Sequence, residues 1–328
     1  MNSSDVHSRD FLHKHAETPL CEEYVAAGAQ CSLRTNAESI REAARQTFLR
    51  IEGEAETKPE FTLRLWSDDR DAAQAPWPKP YLRGLDHLVY MGLDLKSSVL
   101  IDLASRRAIG RVSAAMAADI RYWRTTIFPM LMSVMAGSVG LVELHASCVA
   151  DGSDGLLLIG PGRSGKSTVA KAMSDLGFRV LSDDRVFCSI GGGRVQAYGL
   201  PRPIKLRQDA GKWFEELRGA EPRHLQNGEH VFHFDDGLQP RPCRPKAIVC
   251  LERAGDGCRA SRLEREEIKE RIESDLLAET LEVMVRQEKV IERLLDLPGW
   301  HLQYGARPEV VAEFVATMLR GESGMAAD

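Results

Sequence analysis

The sequence predicts an α/β chain. Its core is a strand that runs into a glycine loop and a helix, set on a mixed sheet and preceded by a β-rich region. Residues 156–159, LLLI, form an apolar run that meets glycines and then STVAKAM at helical spacing. Between 61 and 113, FTLRLW, DHLVYMGL, SVLIDL and AIGRVS alternate or run apolar in short bursts, separated by turn-prone stretches such as SDDRDAAQAPWPKP. Further along, KAIVCLER (246–253) and WHLQYG (300–305) read as strands, and Pro308 opens a closing helix from a first-turn position.

The remaining elements follow in order. Residues 1–34 show no clear periodicity. Ile40, Ala44, Phe48 and Ile51 recur at helical spacing, with Asn36 as the cap. ASRR connects a hairpin. Residues 114–139 read as two helices or one kinked at Pro129. LVELHASCVA (141–150) is a strand that turns through DGSDG into the apolar run. The helix after the glycine loop ends at Gly177, a C-cap glycine. RVLSDD (179–184) is a strand, VFCSI-GGG-RVQAY a hairpin, and 200–245 a loop-rich stretch with six prolines. The charged stretch 262–296 is helical with one apolar face. The pattern divides the chain into a poorly defined segment 1–55 with one helix, a β-rich and helical region 56–135, and a core domain 136–322.

Composition narrows the classes. The chain has 328 residues, 43% hydrophobic and 28% charged, with net charge -5. Its Lys and Arg are scattered, which argues against a nucleic-acid surface. No apolar run reaches the ~18 residues of a membrane span, and the polar N-terminal residues form no signal-peptide core. Seven cysteines without a C-x-x-C pair read as reduced thiols of a cytoplasmic protein, with Cys148 and Cys250 in the core.

Gly160-Pro161-Gly162-Arg163-Ser164-Gly165-Lys166-Ser167 fits G-x-x-x-x-G-K-[ST]. Successive backbone N–H groups in such a loop form a concave anion site that crowded side chains would block. The helix that follows adds unpaired donors and its positive dipole end. Lys166 then serves β- and γ-phosphates, the Ser167 hydroxyl serves Mg²⁺, and Thr168 completes the segment.

Phosphoryl transfer also needs a metal ligand and a group that handles the acceptor's proton. Asp183 and Asp184 end the next predicted strand, 17 residues after Lys166. If that strand lies beside the loop's own strand, both carboxylates emerge near the phosphates. Adjacent strand residues point to opposite sides, which suits one to Mg²⁺ and the other to a proton. The alternative is a plain Asp-Asp turn. Arg202, Lys205 and Arg207 follow the hairpin, placed to hold ATP phosphates or to be solvated loop cations. Arg241 and Arg244 are weaker candidates of the same kind. The 208–240 segment, with His224, His230 and His233, reads as a flap over the substrate, and its irregular histidine spacing argues against a metal site. His145, in LHASCV, reads by itself as a core histidine.

H-A-S-x-V, the glycine loop, a helix ending in L-G-F and then V-L-S-D-D together resemble the catalytic domain of HPr kinase/phosphorylase. They resemble most the shorter HPr-kinase-like proteins of peptide-modification gene clusters. The close spacing of lysine and aspartates is also that of ATP-dependent phosphoenolpyruvate carboxykinase. The match covers about residues 141–207. It implies a nucleotide-binding core of the HPr kinase/phosphoenolpyruvate carboxykinase type, with ATP and Mg²⁺, in a protein that forms homo-oligomers. It implies Asp184 as catalytic base, Asp183 and Ser167 at the metal, and His145 beside the transferred phosphate. The HPr kinase signature L-E-I-R-G-x-G-I-I-N falls on VQAYGLPRPI (195–204), where Gln196 replaces the acid. The resemblance therefore stops short of HPr as substrate and of reverse phosphorolysis. Residues 1–130 do not resemble that family's regulatory domain.

The leading expectation is an ATP- and Mg²⁺-dependent kinase acting on a hydroxyl, a serine of a small protein or precursor peptide, with 61–113 as the peptide-binding region. A small-metabolite kinase on the same core and a non-catalytic nucleotide-binding protein are the alternatives.

Overall fold

The computed structural model describes residues 16–52, 58–68, 74–200, 203–217, 223–224, 230–234, 241–273 and 281–321. The chain divides into two compact units, Met1–Leu131 and Met132–Asp328.

The first unit is built on one eight-stranded sheet. Its strands are β1 (Leu20–Ala26), β2 (Ala29–Thr35), β3 (Leu49–Arg50), β4 (Phe61–Asp68), β5 (Tyr81–Leu85), β6 (Leu88–Gly92), β7 (Ser98–Asp102) and β8 (Arg107–Ser113), in the order β3-β1-β2-β4-β8-β7-β6-β5. β2, β4 and β8 run parallel and the other pairs are antiparallel. Phe61, Leu63 and Leu65 alternate into the core between partly exposed Thr62 and Arg64, the mark of a sheet covered on one face.

Several expectations change here. Residues 20–35, without legible periodicity, form the β1–β2 hairpin through Ala27 and Gly28, both at positive φ. The helix expected from Asn36 to Ile51 is α1, Glu38–Arg45. Asn36 does not cap it, because its side chain bonds both the amide and the carbonyl of Ser67. Phe48 leaves the helix and packs against Tyr24 and Phe128. YLRGL, which the sequence pattern assigns to no element, is the edge strand β5. Residues 114–136 form α2 (Ala114–Ala118), α3 (Ile120–Tyr122), a π-helical turn Trp123–Ile127 and α4 (Phe128–Ala136). Pro129 lies in the first turn of α4. It has no N–H, and its ring would crowd the Thr125 carbonyl, so the wider turn falls just before it.

The second unit carries a mixed six-stranded sheet. Its early elements are β9 (Val142–Leu144), β10 (Ser147–Asp151), β11 (Asp154–Ile159), α5 (Lys166–Asp175), β12 (Arg179–Ser182), β13 (Val186–Gly191) and β14 (Arg194–Gly199). β15 (Ile204–Arg207), β16 (Arg223–His224) and β17 (His230–Phe234) come next. β18 (Arg244–Arg253), β19 (Cys258–Leu263), α6 (Arg265–Glu273), α7 (Leu281–Leu294), β20 (Gly299–Tyr304) and α8 (Pro308–Arg320) complete it. The main sheet runs β12-β10-β11-β18-β20-β19, and two three-stranded sheets, β14-β13-β9 and β15-β17-β16, accompany it.

β11, β18 and β20 run parallel at its centre. Both faces of β11 are covered, which explains its unbroken apolar run. Leu156 and Leu158 face α5 and α8, with Val169, Met173, Val311 and Val315. Leu157 and Ile159 face the other way, with Ile268, Ile272, Val290 and Leu294. Helix α5 ends as expected. Gly177 is left-handed, its amide bonds the Ser174 carbonyl, and the Phe178 amide reaches Met173.

Three differences matter for the site. The strand expected over 141–150 is broken at His145–Ala146 into β9 and β10. β12 lies beside β10 rather than beside β11. The helix expected over 262–296 gives its first residues to β19, and its described helical residues are α6 and α7.

Candidate functional site

The loop 160–165 leaves the carboxyl end of β11 and enters α5. Its shape is set by contact. A Cβ on Gly160 would lie 2.6 Å from the Leu251 carbonyl oxygen and 2.9 Å from Ser164 Oγ. Gly165 caps α5 at φ +94, and a Cβ there would overlap the Tyr304 hydroxyl. That hydroxyl donates to the Ser164 carbonyl at 2.6 Å and braces the loop. Gly162 has open space where a Cβ would sit, and Arg163 is exposed at φ +70. The Ser164 hydroxyl is buried with no hydrogen-bond partner. Lys166, buried, gives its ammonium to the carbonyls of Gly160 (2.7 Å) and Pro161 (3.3 Å).

The acids reach this loop by another route than strand adjacency. With β10 between β12 and β11, Asp183 sits just beyond β12 and is 3% exposed. Ser147 Oγ donates to its Oδ1 at 2.6 Å, and the Lys205 backbone amide to its Oδ2 at 3.2 Å. The Ser167 side chain also acts on Asp183, pulling its pKa down. Burial pushes the Asp183 carboxyl above its ordinary pKa, and the neighbouring Asp184 charge adds to that. The bonds from Ser147 and the Lys205 amide, with the Ser167 side chain, oppose it.

Asp184 holds φ +77, a strained conformation for a residue with a side chain. His145 Nε2 lies 3.6 Å from Asp184 Oδ1, and both side chains are nearly half exposed. The break between β9 and β10 brings this about. The Ala146 amide bonds the Leu144 carbonyl across His145, and this tight turn swings the imidazole outward. The core-histidine expectation is thereby replaced.

Other candidates fare differently. What meets Asp183 from Lys205 is the amide. Arg207 is exposed beside it in β15. Arg202 lies outside the described residues, as do the side chains of His224 and His230 and much of the expected flap 208–240. Arg244 pairs with Asp154 at 3.7 Å, at the opposite end of β11 from the loop, about 20 Å of strand away. The Arg241 carbonyl accepts from Arg179 at that same far end. Among the described residues, no three His, Cys, Asp or Glu side chains group as a metal cage.

Sequence reasoning passed over Ser147 and Tyr304, whose roles depend on strand neighbours. It also passed over a cavity of about 240 Å³ beside the first turn of α5. Thr168, Val169, Trp213, Arg253, Tyr304 and Pro308 line it, and neither Asp183 nor Asp184 does.

Together these parts offer a glycine loop at a helix N-terminus, a buried acid whose carboxyl the Ser167 side chain influences, and a second acid in the open beside an imidazole. Such oxygen donors suit a hard divalent cation shared with phosphates rather than caged by protein. The orphan Ser164 hydroxyl and the glycine cradle suit an anion. No helix among the described residues is long and apolar enough to cross a membrane.

No family model matches this sequence, and no curated protein matches it. Among solved structures, the chain is similar to the HPr(Ser) kinase/phosphatase of Coxiella burnetii. Identity is 10%, over 55% of this chain and 88% of that one, with a TM-score of 0.28. A likeness of that grade supports neither fold nor activity, so function has to be read from this chain's own residues.

Proposed function

We propose that residues 132–328 bind ATP with Mg²⁺ and transfer the terminal phosphate to a hydroxyl, a serine of a small protein or precursor peptide. The observation that carries this reading is the buried Asp183, held by Ser147 and the Lys205 amide, with the Ser167 side chain acting on its carboxyl. Ser167 is the residue directly after the cradle lysine. Bound nucleotide and Mg²⁺ supply the phosphoryl group and the neutralising charge. The protein supplies position. The loop amides and the Lys166 ammonium hold phosphate oxygens, and Ser167 and Asp183 hold the cation. The Asp184 carboxylate takes the proton from the acceptor oxygen, and His145 stands beside it.

An open acceptor side favours a peptide over a metabolite. Asp184 and His145 are both nearly half exposed, and the cavity at the loop does not include them. Transfer from labelled ATP to a candidate peptide tests the reading. Asp184→Asn should cut transfer about 10²- to 10⁴-fold while nucleotide binding persists. Normal transfer by that variant would remove the base assignment. A precursor peptide encoded beside this gene would identify the acceptor.

A further inference from the structure

The reading above leaves the cavity at α5 without a task. We propose that this cavity holds the nucleoside end of the substrate, with an aromatic base against Trp213 and Val169. The nucleotide then crosses the first turn of α5, from the cavity to Asp183. The inference rests on the phosphate reading of the loop and adds a direction and a second recognition element to it.

The first argument is rotational. Consecutive residues of a helix point roughly 100° apart. The Ser167 side chain acts on Asp183, and Thr168, the next residue, lines the cavity. One helical turn therefore has the acids on one side and the cavity on the other, with the amide cradle between. A molecule with phosphates in the cradle has two exits. One is occupied by carboxylates, which repel phosphate unless a cation intervenes. The other is the cavity.

The second argument is the lining. Val169, Trp213, Tyr304, Ala306 and Pro308 give apolar and aromatic walls, and Thr168 and Arg253 add the polar side chains. That mixture is typical of small-molecule sites. The lining side chains include no carboxamide and no carboxylate. A base is therefore held by stacking and shape more than by side-chain hydrogen bonds.

The third argument concerns placement of the two key side chains. Arg253 ends β18, and its Nε lies 3.2 Å from where a Cβ on Gly165 would be. Its guanidinium lies 5.9 Å from the Tyr304 ring centroid. A cation thus stands at the rim, where cradle and cavity meet and where the phosphate nearest the sugar would lie. Trp213 is fixed to the same helix that makes the cradle. Its neighbour Phe214 lies 5.1 Å from the Lys171 ammonium, and Phe234 lies 4.9 Å from it on another strand. Lys171 is buried and also bonds Asp175 and Glu216. Thr168 and Lys171 are three residues apart and share one face of α5. The face that opens on the cavity therefore also anchors the segment carrying its aromatic wall.

Calorimetric titration of the full chain with ATP and with inorganic tripolyphosphate, each with Mg²⁺, tests the proposal. ATP should bind at least about tenfold tighter than tripolyphosphate, the size of one stacking contact. Trp213→Ala should remove most of that advantage and leave tripolyphosphate binding unchanged, and Trp213→Phe should restore it. Unchanged tripolyphosphate binding is also the check that the variant has folded. Equal affinity for the two ligands, or a Trp213→Ala variant that keeps the full advantage, overturns the nucleoside subsite. If tripolyphosphate binding in that case is still lost in Lys166→Ala, the phosphate loop stands without the subsite. Absence of binding by either ligand overturns both.

Discussion

The two units bury polar groups in different ways. Among the described residues of Met1–Leu131, the fully buried polar side chains are neutral: Ser32, Thr35, Thr47, Ser97 and Ser113. Most of them are tied locally. Thr47 Oγ1 donates to Ala43, and Ser113 caps α2. In Met132–Asp328 three charged side chains are buried as well: Lys166, Lys171 and Asp183. They fall within one strand–loop–helix–strand passage. Burying a charge is costly unless it is paired and hydrogen-bonded. The first unit keeps its main ion pair nearer water, where Glu22 accepts from Arg45 and Tyr24. A fold that needed only stability would follow the first pattern throughout. In the second pattern, Lys171 is matched by Asp175 and Glu216, while Lys166 and Asp183 are the buried charges that the proposed function assigns to nucleotide and cation.

The sharpest way to break this contrast is to remove the buried acid. Asp183→Asn should lower phosphate transfer about 10³-fold, because the cation loses its carboxylate. The same variant should be at least as heat-stable at pH 7. The folded carboxyl has a raised pKa, so its contribution to stability is present below the unfolded pKa. It is lost as pH rises through the folded one. A melting curve at pH 7 beside a transfer assay checks both signs, and a strongly destabilised variant would make Asp183 a structural residue.

A smaller effect is expected at the brace. Gly165→Ala places a methyl group against the Tyr304 hydroxyl in a left-handed conformation, which costs about 3 kcal/mol. Adding Tyr304→Phe should return part of it, because the colliding oxygen is gone. Urea unfolding of the single and double variants measures this coupling, and additive losses would separate the two residues.

The mildest prediction uses pH. Mg²⁺-dependent nucleotide binding should weaken as pH falls through the raised Asp183 pKa, before ordinary carboxylates titrate. Glu22 behaves in the opposite sense. Hydrogen bonding from Arg45 lowers its pKa from 4.5 to about 2. Its stabilisation is present above pH 4.5 and is lost between there and about pH 2. Glu22→Gln should cost about 1 kcal/mol at neutral pH after allowance for solvent. A binding titration and a circular-dichroism acid titration should therefore show the site failing first and the sheet of the first unit later.

What was legible in the sequence follows the range of the forces involved. The run LLLI, the glycines and Gly177 are local signals, and the structure has the strand, loop and helix where they indicate. The Asp183–Asp184 pair stood out as two adjacent acids, but the condition set for it, a strand beside the loop's own, is not met. Which strand lies beside which is decided by pairing across the sheet, and here β10 intervenes. Ser147 stands two positions after His145, on a strand, and no local pattern distinguishes it from a packed serine. The β1–β2 hairpin was hidden because in β1 only Tyr24 and Ala26 are buried, too few to set a period. The split of 141–150 was hidden for the opposite reason: both halves are apolar, and a tight turn at His145 leaves no composition cue.

The Tyr304 brace has a consequence in time. It reaches the glycine loop from 140 residues further along the chain. At a synthesis rate of about 5–20 residues per second, the ribosome makes the loop roughly 7 to 28 seconds before its brace. By the end of that interval β18 and β19 have been made, and β20 takes its place between them in the sheet. The strand that completes this part of the sheet is thus also the one that carries the loop's brace.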